Sequence, residues 1–570
     1  MANLTQKAKK ETGATFTPDK LADFLAEKLL QYSDLTEDKL KVLDPSCGDG
    51  ALLRSISKKL IGINIAFEVL GYDLNLDFLN EASIDLQNIL SQENISLINE
   101  DFLESIDVKP KAPELFASLS ERTSINNSID MVIANPPYVR TQILGSDYSQ
   151  RIAEKFELKG RVDLYYPFLK AMTYALKTNG LLSVVTSNRY LTTKSGISVR
   201  KFLESNFEIL EILDLGDTKL FDAAVLPAVF IGRKKSNADN QNSKFVKIYE
   251  EQENVDHVVE LSKDVYDIIS NNSDGYFEVE DKIFKKTSGK AFFTRTKESH
   301  WNLLTKAEEE WIDKVHQNSD SRISDHFKVR VGIKTTADKV FISDDWKSKN
   351  VIPERELLFD LISQQNIEPW SLSEEKKLRV LYPYKGNVEK KEAIELSKYP
   401  KAKEYLNDHY DKLSSRKYLI DAGREWFEIW VPHNPNTWKF PKLVFPDISP
   451  YPRFYLDESG KIVNGNCYWI SAENNEQTDL LLLLQGICNS RLMTKYHDLM
   501  FNNKLYSGRR RYFSQFVEKY PLPKKNEGSY QSIIDLVKII NSSKVLDNKL
   551  IEKLESLISN AYGFSDVILD

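Results

Sequence analysis

The sequence lacks any apolar segment long enough to cross a membrane. Its 570 residues contain no uninterrupted apolar run of roughly 18 residues, the length from which a membrane-spanning helix is inferred. The stretch from Met1 to Lys10 is polar and has no apolar segment typical of a secretory leader. We therefore expect a cytoplasmic protein with no membrane partner.

Cysteine is scarce, and the few cysteines are far apart. The three residues are Cys47, Cys467 and Cys488. Neither a disulfide framework nor a zinc-binding motif can be assembled from these positions. No cluster of Cys, His and Glu has the spacing of metal ligands. The sequence thus predicts a function that needs no metal.

An excess of positive charge is also missing. The formal net charge is −7, which argues mildly against nucleic acid as a partner because phosphate contacts need Lys and Arg. One segment, Lys504 to Lys525, is nevertheless strongly basic and interleaved with aromatic residues, with Glu518 as its acidic residue. Its basic residues are Lys504, Arg509, Arg510, Arg511, Lys519, Lys524 and Lys525. This segment is either a solvated surface or a contact for phosphates.

A chain of this length is too long for one hydrophobic core, and a polar segment divides it. Residues 234–244 are rich in Asn and Ser, a composition typical of linkers. All eight Trp residues follow this segment, the first being Trp301. We therefore assign residues 1–235 to a first domain, 236–290 to a connecting segment and 291–570 to a second, α+β domain.

The first domain is predicted to be a doubly wound α/β sheet of seven mostly parallel strands. Apolar runs of strand length alternate with helical patterns, and the last run follows the sixth through a short loop, so we expect it to be antiparallel. The seven runs begin at Lys41, Phe67, Ile95, Ile129, Leu181, Glu208 and Val225. In sheets of this kind, ligands bind beyond the carboxyl ends of the strands.

The fourth run ends in Asn135-Pro136-Pro137-Tyr138, which is suited to hold a planar amino-bearing group. Proline fixes its own φ and pushes the preceding residue toward extended backbone, so this segment leaves the strand as a stiff chain. The side-chain oxygen of Asn135 and the carbonyl of Pro136 can accept both hydrogens of an NH₂ group. The ring of Tyr138 can stack on the planar group. An ordinary proline-rich turn is the alternative interpretation.

Three earlier strand ends carry residues suited to a cofactor. The loop Asp44-Pro45-Ser46-Cys47-Gly48-Asp49-Gly50 has glycines that let the backbone pass close to a ligand. It lacks the Lys-Ser/Thr of a phosphate-binding loop, so a carboxylate-bearing ligand is favoured. Asp73 lies where an acidic residue accepts hydrogen bonds from ribose hydroxyls, unless it is merely a surface aspartate. Asp101 and Phe102 offer a carboxylate and a ring to an adenine.

The segment before the first helical pattern is a further candidate. Residues 12–18 read Thr-Gly-Ala-Thr-Phe-Thr-Pro, with Pro18 near the first helical turn. This is either a simple helix start or a position that places Thr15 and Thr17 beside the cofactor.

With these residues in hand, positions 1–235 resemble the γ-class (amino-group) DNA adenine-N6 methyltransferases. The segment from Asn135 to Tyr138 matches their Asn-Pro-Pro-Tyr catalytic motif fully, and the glycine loop has a form common in that family. The resemblance implies a class I methyltransferase fold and a catalytic role for Asn135, Pro136, Pro137 and Tyr138. It also implies that Phe221 joins Tyr138 in stacking on a flipped base. The residues implied to bind S-adenosyl-L-methionine are Thr15, Thr17, Asp44, Pro45, Ser46, Gly48, Gly50, Asp73, Asp101 and Phe102.

The second half resembles the TaqI-like C-terminal specificity domain. The segments that carry this likeness are Val331 to Phe341, Arg416 to Tyr418, Glu425 to Phe427, Pro441 to Pro446, Asn489 to Ser490 and Tyr520 to Pro523. The resemblance implies that residues 291–570 recognise a DNA target. Our candidates for DNA contact there are Lys334, Arg509, Arg510 and Arg511.

Together these features predict a site-specific DNA methyltransferase that modifies the N6 amine of adenine in double-stranded DNA. We expect it to be the modification component of a restriction–modification system, a monomer, and a partner in function of a separate restriction endonuclease that acts on the same site. Protein-glutamine methylation, RNA adenine methylation and a non-catalytic DNA-binding module are the alternatives.

A fused nuclease is not expected. The cofactor motif begins at residue 12, which leaves no room before it for a nuclease domain. Pro446-Asp447 is followed by Glu458-Ser-Gly-Lys461, which is one residue out of the spacing of a nuclease site.

Overall fold

The structure is a computed structural model of the 570-residue chain. It describes residues 16–565 apart from residues 36, 109–124, 139–144, 159–162, 194, 219, 221–225, 236–242, 252–257, 292–300, 302, 374, 376, 387–390, 502–507, 526 and 544. The described chain forms two compact units, and the division falls between Ala307 and Glu308. Gly508 follows this boundary in the sequence but belongs to the first unit.

The first unit is built on a sheet of eleven described strands in the order β3-β2-β1-β4-β5-β7-β6-β8-β11-β10-β9. The strands are β1 Leu40–Asp44, β2 Phe67–Tyr72, β3 Ile95–Ile98, β4 Ile129–Ala134, β5 Leu176–Ser187, β6 Phe207–Asp214, β7 Pro227–Lys234, β8 Lys244–Glu251, β9 Val259–Leu261, β10 Gly275–Val279 and β11 Lys282–Lys290.

Strands β1 to β7 confirm the predicted mostly parallel α/β sheet. β1 lies between β2 and β4 and is parallel to both, while β3 and β5 extend the parallel set on either side. β7 lies antiparallel between β5 and β6, as its short connection predicted. The carboxyl ends of β1, β2, β3 and β4 therefore share one edge of the sheet.

Helices cover both faces of this sheet, so its central strands are buried on both sides. They are α1 Asp19–Gln31, α2 Ala51–Gly62, α3 Leu76–Gln87, α4 Phe102–Ser105, α5 Ser146–Lys155, α6 Tyr165–Ala175, α7 Arg189–Thr192, α8 Ile197–Asn206 and α9 Val265–Ser270. Alternate residues of β4 pack into two different cores: Met131 and Ile133 into one, Val132 and Ala134 into the other. This explains why β4 reads as a continuous apolar run.

The sheet extends through the segment that we expected to be a connection. Residues 244–290 form β8 to β11, and β8 pairs parallel with β6 and antiparallel with β11. The assignment of 236–290 as a linker is therefore corrected. The Asn/Ser-rich stretch concealed the pattern that follows it, in which Phe245 and Ile248 are fully buried. Four strands belong to the first unit rather than to a spacer.

The second unit contains small sheets and short helices. Its strands are β12 Ser319–Arg322, β13 Arg330–Val331, β14 Ile342–Ser343, β15 Leu358–Ile362, β16 Ile367–Glu368, β17 Ser371–Leu372, β18 Arg379–Leu381, β19 Lys442–Pro446, β20 Ile448–Ser449, β21 Tyr455–Asp457, β22 Ile462–Val463, β23 Cys467–Ser471, β24 Arg510–Arg511 and β25 Pro521–Pro523. Two four-stranded sheets, β13-β23-β19-β21 and β14-β18-β15-β22, share one apolar core.

Its helices complete the α+β architecture that the sequence predicted. They are α10 Lys306–Gln317, which crosses the boundary between the units, α11 Ile323–His326, α12 Asp338–Phe341, α13 Pro400–Asn407, α14 Tyr410–Ser414, α15 Lys417–Asp421, α16 Asn475–Cys488, α17 Arg491–Phe501, α18 Ser514–Val517, α19 Glu527–Ser542 and α20 Asn548–Ala561. No helix among the described residues is long and apolar enough to span a membrane.

Candidate active site

The candidate catalytic segment begins where β4 ends, and its side chains bond to one another. Asn135 is only 8% exposed, and its Nδ2 donates a hydrogen bond to Oγ1 of Thr17 at 3.1 Å. The hydroxyl of Tyr138 donates to Oδ1 of Asn135 at 2.6 Å. The segment before α1 and the carboxyl end of β4 thus meet, although they lie 118 residues apart in the chain.

Tyr138 is the half-buried member of this group. Burial raises the pKa of its phenol above the usual range, so the hydroxyl stays protonated and can donate. Pro136 is buried and Pro137 is half-buried. The protonated hydroxyl of Tyr138 therefore occupies one acceptor position of the side-chain oxygen of Asn135.

The glycine loop connects β1 to α2 and places a buried carboxyl at its start. Asp44 is 1% exposed, and one of its oxygens accepts a hydrogen bond from the backbone N–H of Ser46 at 3.1 Å. Burial, together with the nearby charges of Asp73 and Asp49, raises the pKa of Asp44 to about 8. The carboxyl of Asp44 lies close to two other acidic groups, and a bound cation would stabilise its ionised form.

The two glycines of this loop differ in what a side chain at each position would meet. Gly50 has φ +79, and a Cβ there would approach Cβ of Ala82 in α3 to 2.9 Å, so a side chain is excluded. Gly48 has φ +52, and a Cβ there would meet nothing within 4 Å. The backbone at Gly48 therefore faces open space, which is suited to the close approach of a ligand.

Asp73, at the end of β2, is tied to the glycine loop. One carboxylate oxygen accepts from the backbone N–H of Gly48 at 3.0 Å, and the other accepts from the N–H of Asn75 at 2.8 Å. The hydroxyl of Ser46 is buried and has no hydrogen-bond partner among the described residues. Pro45 is buried beside it. The structure thus brings together the residues predicted at the first two strand ends.

The third strand end differs in part from the prediction. Asp101 caps α4 by accepting from the N–H of Leu103 at 2.9 Å, and its other oxygen accepts from the hydroxyl of Tyr148 at 2.8 Å. Phe102, expected to offer its ring to an adenine, is only 2% exposed. Its ring packs against Tyr72 and Phe168 at centroid distances of 5.3 and 6.1 Å. It belongs to the core because α4 begins at this residue and directs it inward.

Two further residues at this edge were not predicted. Tyr148 bonds to Asp101 across 47 residues of chain, a pairing that no local pattern indicates. Leu74 follows Asp73 directly and is 72% exposed. An exposed apolar side chain next to a candidate ligand-binding carboxylate is itself a candidate to cover a flat ligand. Of the other predicted residues, Thr15 and Phe221 lie outside the described part of the chain.

The candidate DNA contacts of the second unit have different surroundings. Lys334 is exposed and lines a cleft of about 590 Å³. Arg509 is exposed as well. Arg510 forms a bidentate ion pair with Asp498, with N–O distances of 2.7 and 2.8 Å, and the guanidinium of Arg511 lies 5.1 Å from the ring centre of Phe513. Arg510 is thus committed to a contact within the unit.

Known proteins match both halves of the chain. Residues 58–221 match the Eco57I restriction-modification methylase family, and residues 382–544 match the TaqI-like C-terminal specificity domain. Over 569 residues the chain is 41% identical to the type II methyltransferase M.BanIII of Aneurinibacillus aneurinilyticus, covering 97% of each chain. The protein belongs to the type II DNA methyltransferases of restriction–modification systems.

Other relatives agree with this family and with its fold. The type II methyltransferase M.BstVI of Geobacillus stearothermophilus is 24% identical over 594 residues, covering 99% of this chain and 98% of its own. The solved structure of the type IIL restriction-modification enzyme MmeI in complex with DNA has a TM-score of 0.63 at 13% identity. The match covers 99% of this chain and 78% of the MmeI chain. In this type II methyltransferase, the methylase match includes Asp73, Asp101 and Asn135–Tyr138.

Proposed function

We propose that this type II methyltransferase transfers a methyl group from S-adenosyl-L-methionine to the exocyclic N6 amine of an adenine flipped out of double-stranded DNA. The position of Asn135 is the observation that carries the proposal. Its buried side-chain oxygen lies at the carboxyl end of β4, on the same edge of the sheet as the acidic glycine loop. An amide oxygen there is suited to accept a hydrogen from a planar NH₂ group.

The acidic loop favours a cationic cofactor over a phosphate-bearing one. Asp44, Asp49 and Asp73 are close enough for their charges to interact, and a phosphate beside three carboxylates would be repelled. The buried hydroxyl of Ser46 lacks a partner within the described chain, and the backbone at Gly48 faces open space. These features fit a ligand that carries an ammonium group as well as hydrogen-bonding groups.

We assign one part of S-adenosylmethionine to each strand end. Asp44 would hold the ammonium group, Asp73 the ribose hydroxyls, and Asp101 the adenine amine, while Thr17 supports the position of Asn135. When bound, this cofactor supplies a methyl group activated by a sulfonium. The residues of the chain bind it, orient it and exclude water.

The catalytic contribution of the chain is the placement of acceptors. The lone pair of the adenine N6 amine is delocalised into the ring, so the amine is a poor nucleophile. The side-chain oxygen of Asn135 and the carbonyl of Pro136 would accept its two hydrogens and stabilise the positive charge that develops on nitrogen. Because the two prolines fix the backbone, this arrangement needs little reorganisation during the reaction.

The hydroxyl of Tyr138 uses one of the two lone pairs on the side-chain oxygen of Asn135, which leaves the other for the amine. The ring of Tyr138 would stack on the extruded base, together with Phe221 by family resemblance. Extrusion costs on the order of a few kcal/mol. Stacking on an aromatic side chain contributes roughly 1–3 kcal/mol per base, which offsets much of this cost.

We further propose that the second unit recognises the DNA target, that the enzyme acts as a monomer, and that a separate endonuclease cleaves the same site when it is unmethylated. Pro446-Asp447 and Glu458 to Lys461 retain the unsuitable spacing for a nuclease site noted in the sequence.

The direct test is the identity of the methylated product. Purified protein is incubated with plasmid DNA and isotopically labelled S-adenosylmethionine, and the DNA is digested to nucleosides for mass spectrometry. We expect labelled N6-methyladenine and no labelled methylcytosine. Label in cytosine, or label that appears only when RNA or a protein is offered, would overturn the proposal.

A further inference from the structure

The second unit contains a cleft whose lining includes none of the residues assigned to cofactor and catalysis. Its volume is about 590 Å³, and its walls come from two segments and one single side chain. The lining residues are Ile333 to Lys339, Lys412, and Asn464 to Asn466. The first segment comprises the loop between β13 and α12 and the first two residues of α12, and the last is the turn between β22 and β23.

The charge of the cleft is opposite in sign to that of the whole protein. Lys334, Lys339 and Lys412 are all exposed along it. None of the three forms an ion pair within the described chain. The acidic residue of the lining, Asp338, accepts a hydrogen bond from the hydroxyl of Thr335. A surface that concentrates three ammonium groups in a protein of net charge −7 is suited to an anionic ligand.

The loop that carries Lys334 leads into α12, which carries Lys339, and a buried arginine donates hydrogen bonds to this loop. Arg416, 6% exposed, donates to the carbonyl of Thr335 at 3.0 Å and to the carbonyl of Trp426 at 2.7 Å. Thr336 has φ +59, a left-handed conformation that β-branched residues rarely adopt. Such strain persists where surrounding contacts enforce it, and it is common at ligand-binding sites.

The amide side chains of the cleft are engaged within the wall. Oδ1 of Asn464 accepts from the N–H of Gly465 at 2.7 Å. Nδ2 of Asn466 donates to the hydroxyl of Ser363 at 2.9 Å, and its Oδ1 accepts from the N–H of Gln364 at 3.3 Å. Side chains that read base edges present donors and acceptors in a fixed pattern. Here the groups that face a ligand are instead flexible lysine ammonium groups, which bind phosphate as point charges.

We propose that this cleft binds the sugar–phosphate backbone of DNA and fixes the position of the duplex without reading its sequence. Phosphate contacts set register and orientation, whereas base contacts specify sequence. The inference rests on the proposal that duplex DNA is the substrate. We call the three lysines, Lys334, Lys339 and Lys412, the backbone clamp.

The test uses the full chain with the substitutions Lys334→Gln, Lys339→Gln and Lys412→Gln, singly and together. DNA affinity is measured without cofactor at a series of salt concentrations. The slope of log K against log salt falls by about 0.9 for each phosphate that the protein no longer neutralises, so the slope of the triple variant should fall by up to about 2.7. Methylated positions in plasmid DNA, located by sequencing, should remain those of the wild type.

Two controls separate this role from general damage. Lys538→Gln removes a lysine of the same unit that is already paired with Asp479 at 3.0 Å, and its salt slope should equal that of the wild type. Lys412→Arg keeps the charge and should retain the slope. Thermal unfolding and S-adenosylmethionine binding of each variant should match the wild type, which shows that the fold is intact.

Each outcome decides the proposal. An unchanged slope in the triple variant, or methylation at new sequences, would overturn it, the latter by showing that the cleft reads bases. A wild type that binds DNA with a steep salt slope but yields no N6-methyladenine would refute the proposed function while leaving the backbone clamp in place.

Discussion

The side chains of Asn135 and Tyr138 form a hydrogen-bonded pair. The hydroxyl of Tyr138 donates to the oxygen that we assign to the target amine, and Thr17 accepts from the amide nitrogen. A buried amide with no partner would cost about 1–3 kcal/mol. The contact with Tyr138 therefore stabilises the buried amide of Asn135, and the second lone pair of its oxygen can accept from an incoming base.

The two parts of Tyr138 should contribute differently to turnover. Tyr138→Phe removes the hydroxyl but keeps the ring, so we expect methylation to fall by no more than a few-fold. Tyr138→Ala also removes the stacking surface, worth roughly 1–3 kcal/mol, so methylation should fall by about 5- to 150-fold. Single-turnover methylation assays on the same duplex compare the variants. Equal losses in both would show that the ring does not stack on the base.

Asp44 should make the stability of the cofactor-free protein depend on pH. Burial raises the pKa of its carboxyl from 3.8 to about 8 in the folded state, so the folded state holds the proton more tightly than the unfolded state does. The resulting stabilisation is fully present below about pH 4 and is lost as the pH rises through about 8.

The matched variant is Asp44→Asn, which keeps the shape of the side chain and carries no ionisable proton. Its melting temperature relative to the wild type should rise between pH 5 and pH 8. Excess S-adenosylmethionine should make the melting temperature of the wild type depend less on pH, because the cationic cofactor stabilises the ionised carboxylate of Asp44. A difference that does not change with pH would contradict the assignment.

The sequence predicted the positions of those candidate site residues that end or directly follow a strand. Asn135, Asp44 and Asp73 are of this kind, and the structure places each at the carboxyl edge of the sheet. It did not predict the burial of Phe102 or the bond between Tyr148 and Asp101. Both depend on how a short helix and a distant helix pack, which no local pattern encodes.

The turn from β1 to α2 should tolerate no side chain at Gly50. Gly50→Ala places a Cβ in a left-handed residue, at a cost of about 1–2 kcal/mol, and forces Ala82 to move. We therefore expect a lower free energy of unfolding and weaker S-adenosylmethionine binding. Chemical denaturation and calorimetry measure the two effects.

Gly62→Ala is the control within the same helix. Gly62 ends α2, and a Cβ there meets nothing within 4 Å. This variant should be as stable as the wild type or slightly more stable, because alanine has a higher helix propensity than glycine. If both variants were equally destabilised, the close approach of α3 would not explain why a glycine is required at position 50.

Strands β1 to β7 were predictable because each is an apolar run of strand length bounded by turn or polar residues. β8 to β11 were missed because the linker-like composition of residues 234–244 suggested a domain boundary. In the second unit, Val340 and Phe341 lie in α12. The hydroxyl of Thr335 accepts from the N–H of Ala337 at 3.0 Å, and this local contact starts a helical turn that apolar content cannot indicate.

For the molecule as a whole, the first unit should fold only if β8 to β11 are included. Asp214 at the end of β6 is fully buried, and its carboxylate accepts from the hydroxyl of Tyr249 in β8 at 2.7 Å. A fragment of residues 1–235 would lack this donor and expose the edge of β6. A fragment of residues 1–307 keeps both.

We therefore expect the 1–307 fragment to be soluble and to unfold cooperatively, and the 1–235 fragment to aggregate or to unfold without a sharp transition. Circular dichroism during thermal unfolding distinguishes the two results. Cooperative unfolding of the 1–235 fragment at the same temperature would show that the extra strands are an independent addition.

In the proposed reaction, the side-chain oxygen of Asn135 makes the target amine reactive. The most direct measurement is the single-turnover rate of methyl transfer to duplex DNA by Asn135→Ala, alongside its S-adenosylmethionine affinity from calorimetry. Loss of a preorganised electrostatic contact costs about 100- to 1,000-fold in rate, so we predict at least that loss with cofactor affinity little changed. A variant that methylates adenine at the wild-type rate would contradict the account.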